Sequence, residues 1–101
     1  MAVPKSHYKQ LRKLFASVQS EHEADMLLKD LLTPQEIDSL AERWQIIQSL
    51  AQNKTQREVA AKLQVSISKV TRGSRALQYG AGGFNHFLRK IKVTKQKKKR
   101  S

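Results

Sequence analysis

Residues 55–79, TQREVAAKLQVSISKVTRGSRALQY, constrain the fold more than any other stretch of the chain. They open with the T-x-x-E pattern of a helix-capping box, and apolar residues then recur at helical spacing. The Q-V-S segment at 64–66 predicts a tight corner, with Gln64 at positive φ and Ser66 as the N-cap of a second helix. Two short helices joined by such a corner are typical of a helix-turn-helix, which places its second helix in the major groove of DNA.

The apolar residues of this stretch predict how its two helices pack. Ala60 is small where the helices must approach closely, and Val65 is expected to fill the corner. The side chains predicted to face inward are Val59, Ala60, Leu63, Val65, Ile67, Val70 and Leu77.

The charge of the chain is large and one-sided. Twenty Lys and Arg against eight Asp and Glu give a net charge of +12, and all eight acids lie between Glu21 and Glu58. A polyanion is the natural partner, because each neutralised phosphate releases counterions. An anionic membrane is the competing partner, but no basic segment has the bulky apolar face of an interfacial helix. The sequence therefore favours nucleic acid.

The segment before the helix-turn-helix predicts a platform that pairs with a second copy. A chain of 101 residues predicts a single domain, residues 1–101, with a core that is modest for a monomer. Apolar spacing predicts a helix over 7–18 and another after a cap at Ser20, and Thr33 and Pro34 mark the start of a long third helix. The first two apolar stripes are too narrow to cover each other, so residues 7–53 are predicted to be dimerisation helices.

The end of the chain predicts a short helix and a tail. The GAGG segment at 80–83 stops the preceding helix, since glycine is costly in a helix interior. A last amphipathic helix is predicted over 83–92, and the basic residues 93–101 are predicted to be a disordered tail.

Several classes of function are disfavoured by the composition. The chain has no cysteine, which excludes disulfides and thiolate metal sites and suits a reducing cytoplasm. No apolar run approaches the roughly 18 residues that a membrane span needs. The three histidines fall on three predicted helices without paired ligand spacing, and no glycine-rich phosphate loop follows a strand. We therefore expect a cytoplasmic protein that is not an enzyme, with no catalytic residues, metal site or prosthetic group.

The residues expected to contact DNA follow from the helix-turn-helix. The first turns of its second helix approach base edges, and the N-terminus of its first helix suits a phosphate. The residues at these positions are Gln56, Arg57, Ser66, Ile67, Ser68, Lys69 and Arg72. Among them Arg57 has the fork of donors that binds a guanine bidentately. The alternative is that they form the solvated polar faces of a small helical domain.

Three short motifs resemble the tryptophan repressor family. They are L-L-T-P-Q-E at 31–36 with Arg43 beyond it, Q-R-E at 56–58, and V-T-R-G-S at 70–74. The resemblance covers roughly residues 8–92 and is most specific in the T-R-G-S string. It implies an all-α, six-helix intertwined homodimer whose helix-turn-helix heads read a palindromic operator in double-stranded DNA. It also adds Thr71 to the expected DNA contacts.

The same resemblance implies a small-molecule corepressor, L-tryptophan, held between the long third helix and the reading head. Arg43 and Arg72 would enclose the indole ring, which suits guanidinium groups beside an aromatic face. Arg72 and Thr33 would hold the carboxylate, and Gly73 would leave room beside the ring. The carbonyl of Leu32, from the partner chain, would receive the amino group.

Two positions depart from the family pattern. Ala76 replaces a serine that assists the amino group of the ligand in some members, and Asp30 replaces an apolar residue beside the pocket. The predicted function is a transcriptional repressor of tryptophan-related operons that is activated by L-tryptophan. The alternatives are a ligand-independent helix-turn-helix regulator of the same fold, and a non-specific nucleic-acid-binding or packaging protein driven by its charge.

Overall fold

The fold consists of six α-helices, described by a computed structural model that covers residues 3–100, with side chains for residues 3–92. The helices are α1 (Lys5–Ala16), α2 (Glu21–Leu31), α3 (Pro34–Ala51), α4 (Gln56–Leu63), α5 (Ile67–Tyr79) and α6 (Gly83–Arg100). No strand occurs in residues 3–100. The predicted all-α class with six helices is confirmed.

The chain divides into two compact units, Met1–Ile37 and Asp38–Ser101. In the first unit, neither α1 nor α2 has a buried side chain. Six of its large apolar residues are 40–55% exposed, namely Tyr8, Leu11, Leu14, Phe15, Met26 and Leu31. The narrow stripes expected from the sequence are therefore present and uncovered.

The second unit has a small core built from three helices. Its buried apolar side chains are Ile46, Ile47, Val59 and Val70, and the partly buried Leu50, Ala60, Leu63 and Val65 pack against this group. The inward positions predicted for α4 and the corner are confirmed. The same is true of Val70, while Leu77 is half-buried.

The prediction that Ile67 faces inward is wrong. Ile67 is 48% exposed, whereas Val70, one turn later on α5, is fully buried. Ile67 is the first residue of α5, directly after its N-cap Ser66. Its side chain is therefore available on the face predicted to contact DNA.

Side-chain caps fix where α2 and α3 begin. At α3 the backbone N–H of Glu36 donates to Thr33 Oγ1 (3.2 Å), and the Thr33 N–H donates to Glu36 Oε1 (2.8 Å). Ser20 caps α2 by accepting from the Glu23 N–H (3.1 Å), but the Glu23 carboxylate accepts from the N–H of Gln19. Each arrangement satisfies backbone donors that the first turn of a helix leaves without partners.

The corner of the helix-turn-helix has the predicted geometry. Gln64 adopts left-handed φ and ψ values of 56° and 46° and ends α4. The N–H of Val65 donates to the carbonyl of Ala60 at 3.1 Å, and Ser66 Oγ accepts from the N–H of Lys69 at 3.3 Å. The chain therefore turns within three residues and starts α5 at a capped N-terminus.

The last helix is longer than predicted. After α5 ends, Gly82 has a φ of 94°, a conformation that favours glycine, and α6 begins at the next residue. Its backbone continues past residue 92 to Arg100. The disordered tail over 93–101 stays a prediction. Lys, Arg and Gln favour helix, and no glycine or proline interrupts them. The side chains of residues 93–101 lie outside the described residues.

Candidate DNA-reading head and ligand pocket

The predicted DNA contacts share one accessible region of α4 and α5, which we call the reading face. Its residues are Gln56, Arg57, Ser66, Ile67, Ser68, Lys69, Thr71 and Arg72, of which Gln56 is half-buried and the others are exposed. An exposed helix N-terminus with nearby cations is suited to phosphate. The accessibility that DNA contact requires is therefore present at every predicted position.

A hydrogen bond joins the two helices across the reading face. The hydroxyl of Thr71 on α5 donates to Oε1 of Gln56 on α4, at 2.7 Å. This bond orients the Gln56 amide so that its NH₂ group remains available as a donor. The two side chains thus form one unit, although they are 15 residues apart in the sequence.

The N-terminus of α4 is held by a complete capping box. The Glu58 N–H donates to Thr55 Oγ1 (3.1 Å), and the Thr55 N–H donates to Glu58 Oε1 (3.0 Å). The backbone hydrogen bond from Thr55 is the main cause that lowers the pKa of Glu58, followed by the Thr55 side chain. Nearby, the amino group of Lys54 lowers the pKa of Lys62. This pair of close cations was not singled out from the sequence.

A cavity of about 350 Å³ lies in the second unit, between α3, α5 and the start of α6. Its walls are formed by Ser39, Glu42, Arg43, Ile46, Lys69, Arg72, Gly73, Ala76 and Phe84. The volume falls in the roughly 300–1,000 Å³ range of small-molecule sites. Four of the six residues predicted to bind a ligand, Arg43, Arg72, Gly73 and Ala76, are brought together here.

The other two predicted ligand residues, Leu32 and Thr33, belong to the first unit. Thr33 caps α3, and the N–H of Leu32 donates to the carbonyl of Leu28 at 3.0 Å. Asp30, which departs from the family pattern, lines a separate groove within that unit together with Leu14, Met26 and other residues.

Gly73 is required by the close approach of α5 to α3. It is buried, and a Cβ atom at this position would lie 2.9 Å from Cγ2 of Ile46 and 3.5 Å from Cδ1 of Ile47. A separation of 2.9 Å is shorter than a carbon–carbon contact allows. The glycine therefore lets the reading helix pack on α3 and leaves this wall of the cavity flat.

The cavity carries three cations and one carboxylate. Nζ of Lys69 lies 2.8 Å from Oε1 of Glu42, in an ion pair whose side chains are 59% and 37% exposed. Arg43 and Arg72 form no ion pair with an acid among the described residues. Two such guanidinium groups can bind a carboxylate and cover a planar ring. The cavity therefore suits an anionic or zwitterionic ligand with a flat apolar part.

Five cavity residues were missed as ligand candidates. Lys69 was predicted only as a DNA contact, and three of the other four had a signal in the sequence. Ser39, Glu42 and Ile46 share with Arg43 a face of α3 at helical spacing. Phe84 had no such signal, because it follows the glycine segment and reaches the cavity only through the fold. Its ring stacks on Trp44, with centroids 6.2 Å apart and an interplanar angle of 27°, which ties the start of α6 to α3.

Comparison with known proteins identifies the family. The family model for the Trp repressor protein matches residues 6–92. A Trp operon repressor homolog of Xylella fastidiosa (strain 9a5c) is 38% identical over 84 residues, which cover 82% of this chain and 89% of that relative. Another from Chlamydia caviae is 46% identical over 61 residues, 59% of this chain and 60% of the relative.

Comparison with solved structures agrees with the family match. The crystal structure of a TrpR like protein from Eubacterium eligens matches with a TM-score of 0.80 and 26% sequence identity, covering 86% of this chain and 90% of that one. No helix in the described part of this chain is long and apolar enough to cross a membrane.

The chain has a capped helix-turn-helix with an exposed reading face, and the relatives that it matches are named repressor homologs. Together these findings define a DNA-binding regulator of the repressor class. Within that class the chain belongs to the Trp repressor protein family. The predicted resemblance is therefore confirmed at the level of the family.

Proposed function

We propose that this protein is a dimeric transcriptional repressor that binds a palindromic operator when L-tryptophan occupies the cavity behind its reading helix. The proposal is supported mainly by the position of the cavity. One wall of the cavity is formed by α5, which is also the proposed reading helix. A ligand there contacts the element that must fit the DNA groove. The names of the relatives, which are Trp operon repressor homologs, support tryptophan as the ligand.

The cavity supplies the groups that recognise an aromatic amino acid. The guanidinium groups of Arg43 and Arg72 offer donors to a carboxylate and planar surfaces to an indole ring. The flat wall at Gly73 and the side chains of Ile46 and Phe84 add apolar contact for the ring. These residues act on a ligand by binding and orienting it, and the proposal includes no chemical step.

A second copy of the chain is the proposed cover for α1 and α2. Their apolar stripes are exposed, and a two-fold symmetric interface between copies would bury both at once. Two copies also place two reading helices on one DNA molecule, and the symmetry of the pair matches a palindromic site. The proposed dimer therefore accounts for the uncovered stripes and for the operator symmetry together.

Regulation is proposed to be a shift between orientations of the reading helix. The ligand favours the orientation in which two reading helices fit successive major grooves, and it does so through its contacts with α3 and α5. The ligand binds the two orientations with different affinities, and this difference sets the largest change in DNA affinity that the ligand can cause. The basic residues of α6 add phosphate affinity that does not depend on sequence.

Titration calorimetry with L-tryptophan, followed by gel shifts, tests the proposal. The DNA probes are the regions upstream of the gene for this protein and of tryptophan-synthesis genes, each with a scrambled control. We expect heat of binding, and tighter binding to an upstream region than to its scramble only when L-tryptophan is present. No heat at millimolar ligand would defeat the corepressor, and equal affinity for both sequences would defeat the repressor. A monomer in light scattering would defeat the dimer.

A further inference from the structure

We propose that Glu42 withholds Lys69 from DNA in the ligand-free protein, and that the ligand releases Lys69 by donating an N–H hydrogen bond to Glu42. The inference rests on the proposed function, because it assigns a role to the ion pair at the same cavity. It adds a class of ligand, one that carries an N–H donor as well as a carboxylate.

The position of Lys69 gives it two competing partners. Lys69 lies in the first turn of α5, on the reading face, and its Nζ also lines the cavity 2.8 Å from Oε1 of Glu42. An ammonium group in contact with that carboxylate is not free to neutralise a DNA phosphate. The pair therefore lowers the number of phosphate contacts that the reading helix can make.

Glu42 is the only carboxylate among the nine residues that line the cavity. A ligand carboxylate is attracted to Arg43 and Arg72, which form no ion pair with an acid in the described part of the chain. A ligand N–H group finds its acceptor at Glu42. Exchange of the Lys69 ammonium for a ligand N–H replaces one donor by another, so the carboxylate keeps a hydrogen bond throughout.

The exposure of the pair limits the size of the effect. Both side chains are more than a third exposed, and such ion pairs shift an equilibrium by at most about fivefold. The contact is therefore weak enough for a bound ligand to replace. We expect the release of Lys69 to contribute a two- to fivefold part of the ligand effect on DNA affinity for each head.

The salt dependence of DNA binding separates this inference from a general tightening of the complex. Each phosphate neutralised by a lysine changes the slope of log K against log salt by about 0.9. In the ligand-free state, Glu42→Gln should already have the steeper slope, by about one per head, and a two- to fivefold higher DNA affinity per head. The matched control is Asp38→Asn, which changes the charge equally on an exposed part of α3 outside the cavity.

A second variant completes the cycle. In a Lys69→Gln background, Glu42→Gln should change neither slope nor affinity beyond the Asp38→Asn control, because there is no lysine to release. Circular dichroism checks that every variant folds, and calorimetry measures its ligand affinity so that all comparisons with ligand are made at saturation. An identical ligand-free slope for the wild type, Glu42→Gln and Asp38→Asn would overturn the inference.

Three ligands identify the N–H group that Glu42 accepts. L-tryptophan has both donors, indole-3-propionate lacks the ammonium, and 3-benzothienyl-L-alanine replaces the ring N–H with sulfur. At saturation, we expect one of the two analogues to leave the slope at its ligand-free value. If both analogues steepen the slope as L-tryptophan does, donation to Glu42 is not what releases Lys69.

The same measurements distinguish failure of the inference from failure of the proposed function. One outcome is that the ligand gives heat of binding and changes DNA affinity but leaves the salt slope of the wild type unchanged. That outcome would leave the proposed function standing and overturn only the role of Glu42. No heat with L-tryptophan would remove the corepressor, and the inference with it.

Discussion

The two compact units differ in how their apolar side chains are covered. In Asp38–Ser101, parts of α3, α4 and α5 enclose Ile47, Val59 and Val70 completely. In Met1–Ile37, no side chain of α1 or α2 is buried, and Phe15 is 51% exposed. Both units consist of amphipathic helices, so helix formation alone does not make a core. In the second unit a third helix closes the core, whereas α1 and α2 by themselves bury no side chain.

This difference implies that the first unit needs a partner to bury its apolar side chains, whereas the second unit has a buried core of its own. A large apolar side chain that becomes fully buried contributes about 1.5–3 kcal/mol, and leaving several exposed forgoes that contribution. We therefore expect perturbations of the first unit to act on assembly. Perturbations of the second unit should act on local stability and on DNA or ligand binding.

The largest effect is expected from Phe15→Asp on α1. A charge in the proposed dimer interface is desolvated twice, once for each copy, while two aromatic contacts are lost. We expect dimerisation to weaken by about 3 kcal/mol or more, which light scattering over a dilution series measures as dissociation. The control is Lys9→Asp, which places the same side chain at an exposed basic position of α1. Dissociation of both variants alike would contradict an interface on the apolar stripe.

The second prediction tests the close approach inside the second unit. Gly73→Ala forces a methyl group against Ile46, and overpacking of this kind costs about 1–3 kcal/mol. Urea unfolding at fixed protein concentration measures the loss. The control is Gly83→Ala, where an added Cβ meets nothing within 4 Å. Equal stability of Gly73→Ala and Gly83→Ala would show that α5 and α3 adjust freely.

The third prediction concerns the bond that joins α4 and α5 on the reading face. Thr71→Val removes the hydroxyl that orients Gln56, at little change in shape. We expect DNA affinity to fall by about 0.5–1.5 kcal/mol, the usual contribution of one hydrogen bond. A double-mutant cycle with Gln56→Ala measures the coupling between the two residues. Additive losses would mean that the bond does not act in the DNA complex.

The parts of the second unit that could be predicted from the sequence are those with local causes. The corner at Gln64 and the cap at Thr55 depend on residues three or four apart, and both have the predicted geometry. Ile67 was predicted both to face inward and to contact DNA, because its apolar character agrees equally with a core position and with a contact surface. Only the fold shows that it is exposed. The state of residues 93–101 could not be derived from the sequence, since a basic composition is compatible with both helix and disorder.

The cavity could be predicted only in part. The resemblance pointed to Arg43 and Arg72, but not to the carboxylate that shares their cavity. Glu42 and Lys69 are 27 residues apart, so their contact depends on the packing of α5 against α3. That packing in turn requires Gly73. Long-range contacts of this kind leave no periodic pattern in a single sequence.

The smallest effect is expected at the capping box of α4, and it depends on pH. The folded state lowers the pKa of Glu58, mainly through the backbone hydrogen bond from Thr55, so ionised Glu58 stabilises the fold. That stabilisation is fully present above the unfolded pKa, near 4.5, and is lost as the pH falls through the lower folded value. Glu58→Gln should therefore unfold more readily than the wild type at pH 7, and the difference should vanish in acid.

Thermal unfolding followed by circular dichroism between pH 7 and pH 3 measures this difference. The Asp38→Asn variant serves again as the matched control, because it removes an exposed carboxylate outside the capping box on a neighbouring helix of the same unit. Its difference from the wild type should not follow the titration of Glu58. A gap between Glu58→Gln and the wild type that persists unchanged at pH 3 would mean that the ionised carboxylate does not stabilise α4. The two units would then differ only in the buried core of the second unit.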